Sequence, residues 1–579
     1  MSPSLLSLRN ALRVLVPLAV ASTLYLYLYP FFLGCAFPLP QKTNTNSPHS
    51  DDANAHAHAD AHTGANANSN IVAPFRLLAL GDPQLEGDTS IINYNRPSFP
   101  HLTKLIGHLS FQTDHPSLRK RLQQASHDLV DFYFDDVPNT AESIRKRIDL
   151  FGNDFYLAHI YRTMRWWAKP THVTVLGDLL GSQWIRNPEF ERRSWRFWNR
   201  SFKGGERVPD EVAAYPSDEY DLAGLLGTHG ADAEIWERRV INVAGNHDIG
   251  YAGDLTAERL ERFERVFGKA AYELRFELPI ADPAANASIF DPDTNPESDR
   301  LVPELRIVNI NNMNLDTPAV DQILQDNTYT FINDVITTSS AVEFKGHFTL
   351  VLTHIPLYKP EGVCVDAPFF SFHSSGGVKE QNQLSADASR GFLEGIFGLS
   401  GDPNAPAGGR GRMGVILNGH DHEGCDTYHF INQTLEGDDR QWQVTRWASA
   451  RDGRLPEQPN LPGLREITVR SMMGGFGGYA GLLSVWFDQD SWEWKFEFDT
   501  CALGTQYIWW AIHFLDLIVL VVFVVYGISE AIPAPKSRPI IKEQQQQHDI
   551  AKQQRQVLEK KKVNGLVVGN VSNGEVKTI

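Results

Sequence analysis

Five short apolar runs, each ending abruptly in a polar residue able to bind a metal, constrain this chain more than any other feature. They are FRLLALGD (75–82), HVTVLGD (172–178), RRVINVAGNHD (238–248), FTLVLTH (348–354) and MGVILNGH (413–420). Such runs, rich in leucine and β-branched residues and bounded by glycine or asparagine, suit strands buried on both faces. Helical patterns lie between them, among them AESIRKRIDLFGNDFYLAHIYRTMRWW (141–167) and LTAERLERFERVFG (255–268). That alternation predicts an α/β layered fold. Ligands in such sheets gather beyond the carboxyl ends of the strands, where these polar residues fall.

The residues at those ends are Asp82, Asp178, Asn246, His247, Asp248, His354, His420 and His422. Carboxylate, imidazole and amide oxygen together suit a borderline divalent ion such as Mn²⁺, Fe²⁺ or Zn²⁺. One carboxylate can bridge two ions about 3.5–4 Å apart, the clamp used in phosphoester hydrolysis. Taken singly, a Gly-Asp after a strand is a turn, and Gly-Asn-His-Asp can cap a helix. Five such ends in one order are hard to obtain as five independent caps.

The order GD…GDLLGS…GNHD…THIP…NGHDH resembles the calcineurin-like metallophosphoesterase family over roughly residues 73 to 500. The resemblance implies a four-layer αββα sandwich with a two-metal centre. It would place Asp82, Asp178 and His422 on one metal, and Asp178, Asn246, His354 and His420 on the other, with Asp178 bridging. His247 would face the phosphate as stabiliser or proton donor, oriented by Asp248. Two departures stand out. The family's first motif is usually Asp-x-His, and here Gln84 holds the histidine position; Gly181 occupies a later position of the second motif. A glutamine carbonyl oxygen is a weaker, harder ligand than imidazole, which favours Mn²⁺ over Fe or Zn in the first position.

The net charge of −17 argues against nucleic acid as a partner, because phosphate contacts need clustered Lys and Arg. Residues 14–34 are uncharged and long enough to cross a membrane. A cleaved signal peptide is the competing reading; the length of the run and the lack of an A-x-A site favour an anchor. Residues 507–528 form a second such segment, opening on aromatics as an interfacial belt does. His513 and Asp516 within it read as groups near the interface. Arg9 and Arg13 precede the first span, and Lys536, Arg538 and Lys542 follow the second. The positive-inside rule then puts both termini (1–13 and 529–579) in the cytosol and the middle across the membrane. Sequons at Asn199, Asn286 and Asn432 fall in that middle part. In an oxidising lumen Cys364 and Cys425 can pair. Residues 35–72, with His56, His58 and His62, read as a disordered linker, leaving 73–503 for the folded domain.

A tethered luminal domain suits a lipid-linked or membrane-glycan phosphate. SQWIRNPEFERRSWRFWNRSF (182–202) could offer arginines to phosphate, but reads better as an amphipathic helix packing Trp184, Trp195 and Trp198 on the core. Two terminal spans, GDPQ, GDLLGSQWI, THIPLY with Cys364 and GHDHEGC with Cys425 resemble the endoplasmic-reticulum phosphoesterases, conspicuous in fungi, that remodel glycosylphosphatidylinositol (GPI) anchors. That resemblance implies a phosphodiesterase removing ethanolamine phosphate from an anchor mannose. It also implies GPI-anchored proteins or GPI lipid as substrate, the membrane and export machinery as partners, and an endoplasmic-reticulum or ER–Golgi location. Another lipid or glycan phosphoesterase would use the same ligands. A non-catalytic cargo adaptor also fits if Gln84 leaves one metal position empty.

Overall fold

The apolar runs form strands because their residues alternate between two hydrophobic layers. In Phe75–Leu80 (β1), Phe75, Leu77 and Ala79 join one buried cluster, while Leu78 and Leu80 join the other. The computed structural model describes residues 3–40, 72–91, 99–113, 117–214, 220–222, 231–278, 281–282, 287–288, 302–436, 440–451, 461–531 and 540–564.

The other strands of the two main sheets are His172–Val175 (β2), Glu206–Arg207 (β3), Tyr220–Asp221 (β4), Arg239–Asn242 (β5), Tyr272–Glu277 (β6) and Glu304–Asn309 (β7). They continue with His347–Leu352 (β8), Met413–Asn418 (β9), Cys425–Ile431 (β10), Trp442–Arg446 (β11), Gly463–Thr468 (β12), Tyr479–Asp488 (β13) and Glu493–Ala502 (β14). One sheet runs β14-β13-β1-β2-β5-β3 and the other β11-β10-β12-β9-β8-β7-β6-β4. At their centres β1, β2 and β5 are mutually parallel, as are β7, β8, β9 and β12. Parallel strands end on the same side, so each sheet delivers several strand ends to one place.

A shared core holds Leu77, Ile241 and Leu483 from one sheet with Leu305, Leu350 and Val415 from the other. The second cluster joins Leu78, Leu80, Val173 and Val175 to Tyr156, Leu157 and Ile160 of a long helix, and Val351 and Ile416 to Ile332 and Val335 of Gln322–Thr337. The result is a multilayer α/β assembly.

The helices that matter below are Pro3–Tyr27 (α1), the single turn Tyr29–Phe32 (α2), Pro100–Leu109 (α3), Leu118–Asp131 (α4), Val137–Ala168 (α5) and Gln506–Ala531 (α6). Two compact units divide the chain. Residues 21–513 contain both sheets; residues 1–20 with 514–579 contain the outer parts of α1 and α6 and a polar helix, Ile540–Asn564. Leu5–Tyr27 and Gln506–Ala531 are long and apolar enough to cross a membrane, and only 6% of each apolar window is buried. The first apolar helix is therefore earlier than the expected 14–34. Helix α1 ends at Tyr27, and Pro30, Cys35 and Phe37 are buried in residues expected to close the span or open the linker. The cause is a disulfide between Cys35 and Cys501, reinforced by Trp167 Nε1 donating to the Cys35 carbonyl (2.6 Å). His56, His58 and His62 lie outside the described residues.

Candidate metal centre

Three of the five strand ends turn sharply as they present their polar side chains. Asp82, Gln84, Asp178 and His420 all have positive φ, at 41°, 39°, 50° and 71°. Side-chain-bearing residues seldom adopt this region, and it concentrates at functional sites. Glycines make room beside them: a Cβ on Gly177 would lie 2.2 Å from His354 Nδ1, and one on Gly245 would lie 2.2 Å from the Asp178 amide nitrogen.

The turns bring the expected residues together. Asp178, His354 and His420 offer ligand atoms all within 4.8 Å of one another, as do Asp82, Asp178 and His422. Asp178 belongs to both groups. Asn246 joins the first: its Oδ1 lies 3.0 Å from His354 Nε2 and 3.0 Å from His420 Nδ1.

Proton accounting tests whether these atoms suit a cation. His420 donates from Nε2 to the Gln381 carbonyl (2.9 Å). Burial, then the charge of His354, pushes His420 down to about 3, so its Nδ1 stays bare at neutral pH. That lone pair faces Asn246 Oδ1, another acceptor, and the two repel unless a positive charge sits beside them. His354 donates from Nδ1 to the Leu176 carbonyl (2.7 Å) and turns Nε2 toward Asn246 and toward Asp178 Oδ1 at 3.3 Å. Burial works to lower His354, but Asp178 and then Asp82 outweigh it and push it up to about 9. Asp178 is held far below the usual range: burial opposes this, and His354 and His247 overcome it. Burial, with Asp178 adding to it, drives Asp82 well above its ordinary range. A divalent ion would relieve these conflicts, so the donor set fits a metal.

The remaining expectations divide. Gln84 points its amide nitrogen, not its oxygen, into the cluster, donating to Asp178 Oδ2 (2.9 Å) and His422 Nε2 (3.0 Å). In this arrangement it braces two candidate ligands and is not itself placed as one. His247 is half-buried, its Nε2 is 3.8 Å from Asp178 Oδ2 and its buried Nδ1 has no partner. Asp248 does not orient it. Its carboxylate accepts from the amides of Leu179 (3.1 Å), Leu180 (2.9 Å) and Gly245 (3.0 Å). The short helical turn Asn246–Ile249 puts Asp248 where it caps the turn and clamps the Asp178 loop. Burial, then Asp178, pushes Asp248 up to about 7.

Cys364 and Cys425 form the expected disulfide, tying a loop that lines the cleft to the start of β10. Asn199 is exposed; Asn432 accepts from the Thr434 amide (3.0 Å) and hydroxyl (2.7 Å); Asn286 is outside the described residues. The 182–202 stretch departs from expectation. Trp184 and Trp195 are exposed, and only Trp198 packs on the core. Four of its arginines are already committed, Arg192 to Glu189 among them. Arg193 pairs with Glu189 (2.8 Å), and Arg196 and Arg200 pair with buried Asp154 (2.6 and 3.1 Å).

Sequence reasoning missed the buried cluster beneath the site, where Glu466 accepts from Lys359 (2.8 Å), His429 (2.6 Å) and Asn418 (2.7 Å). Its one signal was a glutamate inside the strand-like stretch GLREIT. A cleft of about 470 Å³ opens over the candidate ligands, with Phe476 on one side and Asp366, Asp421 and Glu423 among its lining. A larger groove of about 860 Å³ includes Met413 and Gly463, the starts of β9 and β12, away from the strand ends that carry the chemistry.

A multilayer α/β fold with two overlapping metal-suited triads at its strand ends defines the class: a metallophosphoesterase-like hydrolase. No family model matches the chain. Protein TED1 of Saccharomyces cerevisiae is 32% identical over 408 residues, covering 63% of this chain and 75% of that one. An uncharacterized Schizosaccharomyces pombe protein is 25% identical over 381 residues, covering 63% and 78%. Metallophosphoesterase 1 of Danio rerio is 21% identical over 291 residues, covering 49% and 60%. The chain belongs to the calcineurin-like metallophosphoesterase family, in the group that includes Protein TED1.

Proposed function

We propose that this chain is a luminal, four-layer αββα metal-dependent phosphodiesterase that removes ethanolamine phosphate from a mannose of GPI anchors in the endoplasmic reticulum. Release of that group would support export of GPI-anchored proteins. The observation that carries the reading is the convergence of the Asp178, Asn246, His354 and His420 side chains, with no donor between His420 Nδ1 and Asn246 Oδ1. Two divalent ions, Mn²⁺ foremost, would supply an activated water near neutral pH and charge against the phosphoryl oxygens. Asp178 would be shared between the two positions, with Asp82 and His422 completing one and Asn246, His354 and His420 the other.

The chain's own part is orientation and proton transfer. Asp248 fixes the Asp178 loop through the Leu179 and Leu180 amides, holding that carboxylate in place. His247 lines the cleft half-buried, with Nε2 3.8 Å from Asp178 Oδ2, and is suited to hydrogen-bond or protonate the departing sugar oxygen. Asp366, Asp421 and Glu423 give the cleft an acidic lining, which suits a substrate whose phosphate carries an ammonium group. The Gln84 amide between Asp178 and His422 favours a second reading, a partly filled centre serving as a cargo adaptor.

Two measurements test the proposal. Purified full-length chain should bind more than one equivalent of Mn²⁺ and hydrolyse an aryl phosphodiester. Cells lacking it should retain ethanolamine phosphate on one anchor mannose, seen by glycan mass spectrometry. Less than one equivalent of metal together with no hydrolysis would falsify the enzymatic reading and leave the adaptor.

A further inference from the structure

Helix α4, a π-helical turn at Phe132–Asp136 and α5 form one unbroken helical run. At about 1.5 Å per residue it extends roughly 75 Å. Its last part enters the core through Tyr156, Leu157, Ile160 and Met164. The rest, with α3 packed along α4, forms an arm.

The arm is packed inside out. Three of its four buried positions before Leu150 are polar: Asp128, Asp136 and His108 are 2%, 3% and 7% exposed, and the fourth is the small Ala125. His108 pairs with Asp128 at 3.0 Å and His101 with Asp136 at 2.8 Å. The large apolar side chains point outward instead, with Leu122, Leu129 and Phe134 exposed by 54%, 54% and 68%. Folding in water produces the reverse arrangement, and a contiguous exposed apolar face marks an interaction surface. The exposed residues follow helical spacing. Leu118, Leu122, Leu129 and Tyr133 share one face of α4 and its extension, and Ile144, Ile148, Phe151 and Phe155 share one face of α5.

Position and charge identify what covers this face. Phe151 and Phe155 line a cavity of about 380 Å³ together with Tyr27, from the end of α1, and Trp509 and Trp510, from the start of α6. Trp510 packs so closely on Gly152 that a Cβ there would meet its ring at 1.7 Å, and Tyr156 donates to the Gly504 carbonyl (2.6 Å). The arm therefore leaves the domain at the point where both membrane-length helices join it. Among described residues 100–155, Lys and Arg are matched by equal numbers of Asp and Glu, so contact rests on apolar burial and not on net charge. Tyr133 adds an aromatic of the kind that settles at a membrane–water boundary.

We propose that the α3–α5 arm lies in the headgroup–acyl boundary of the leaflet beside the two apolar helices, as a third, monotopic membrane contact. The inference stands apart from the phosphodiesterase reading. It is tested on the full chain reconstituted in phosphatidylcholine vesicles, with an environment-sensitive fluorescent amino acid placed singly at Leu122, Leu129, Ile148 or Phe151. Exposed polar positions Gln124 and Arg145 serve as controls. Phosphatidylcholine brominated on its acyl chains should quench the four apolar positions by about twofold or more and the two controls little. Equal, weak quenching at all six positions overturns the proposal. So does shielding of the apolar positions from both brominated lipid and aqueous iodide, which would assign the face to a protein partner or a second copy.

Discussion

Two buried polar clusters lie close together under the same loops, one around Glu466 and one around Asp178. Glu466 is closed: its Oε1 accepts from the Leu357 amide and Asn418 (both 2.7 Å), and its Oε2 from Lys359 (2.8 Å) and His429 (2.6 Å). Burial would raise its pKa, but Lys359 and then His429 hold it well below the usual carboxylate range. Around Asp178 the acceptors of Asn246 and His420 face each other, and three candidate ligands occupy left-handed backbone. Glu466 and Asp178 are both buried, so burial of a carboxylate alone does not mark a functional site. What separates them is whether every acceptor meets a donor from the protein. The closed cluster holds up the loops; the open one is built for something the chain does not contain.

The largest expected contrast comes from removing one carboxylate charge from each cluster. Asp178→Asn should lower phosphodiester hydrolysis by about a thousandfold or more while folding is kept. Glu466→Gln should do the opposite. It strands Lys359, only 1% exposed, and breaking a buried pair costs about 3–5 kcal/mol of stability. Urea melts beside rates per folded molecule would separate the two. Similar effects of both variants on both readouts would erase the distinction between clusters. The Glu466→Gln, Lys359→Met double variant should recover part of the loss, because no unpaired charge remains.

Chelation sharpens the comparison next. If the open cluster takes a divalent ion, the chain should gain about 2.7 kcal/mol at a metal concentration a hundredfold above Kd, and lose it to a chelator. Glu466→Gln should keep that increment, and Asp178→Asn, which alters the one carboxylate common to both triads, should abolish it. An increment that survives Asp178→Asn would place the metal elsewhere.

A third buried group separates burial from charge. His172 begins the strand that leads to Asp178, and its ring packs against Phe75 (4.6 Å), Phe276 (5.0 Å) and Trp236 (5.2 Å). Burial, then Arg76, pushes it down to about 3. Its folded pKa lies below its unfolded value near 6.5, so the unfolded chain takes the proton first. The stability it secures is full above about pH 6.5 and shrinks as pH falls from there toward 3. By pH 5.5 the loss should be about 1.4 kcal/mol. His172→Phe should remove that part of the acid slope, measured by urea melts between pH 7 and 5. An unchanged slope would assign it to other groups.

Much of this was legible in the sequence, for a definite reason. The strands that end in Asp82, Asp178, Asn246, His354 and His420 are short, apolar and parallel, so their order alone predicts where their ends meet. What could not be read depended on side-chain direction or on distant partners. Asp248 is adjacent to His247 in sequence, yet its carboxylate turns back to three amides. The arginines of 182–202 looked free until Asp154 appeared beside Arg196 and Arg200. Cys35 reads as the start of a linker because its partner, Cys501, lies 466 residues away.

Gln84 carries the smallest expected effect and decides how far the open cluster is open. Its amide donates to Asp178 and His422, so an ion approaching those atoms must displace two hydrogen bonds, each worth about 0.5–1.5 kcal/mol net. Gln84→His replaces a competing donor with a ligand, and should tighten Mn²⁺ binding by about tenfold, near 1.4 kcal/mol, in calorimetric titrations. Gln84→Ala is the discriminating partner. It should also tighten binding if the amide only competes, because both lone pairs are released. It should weaken binding if the amide turns over and ligates through its oxygen. Unchanged affinity in both variants would mean the amide neither blocks nor binds, and the open cluster would then have to be filled by Asp82, Asp178 and His422 alone.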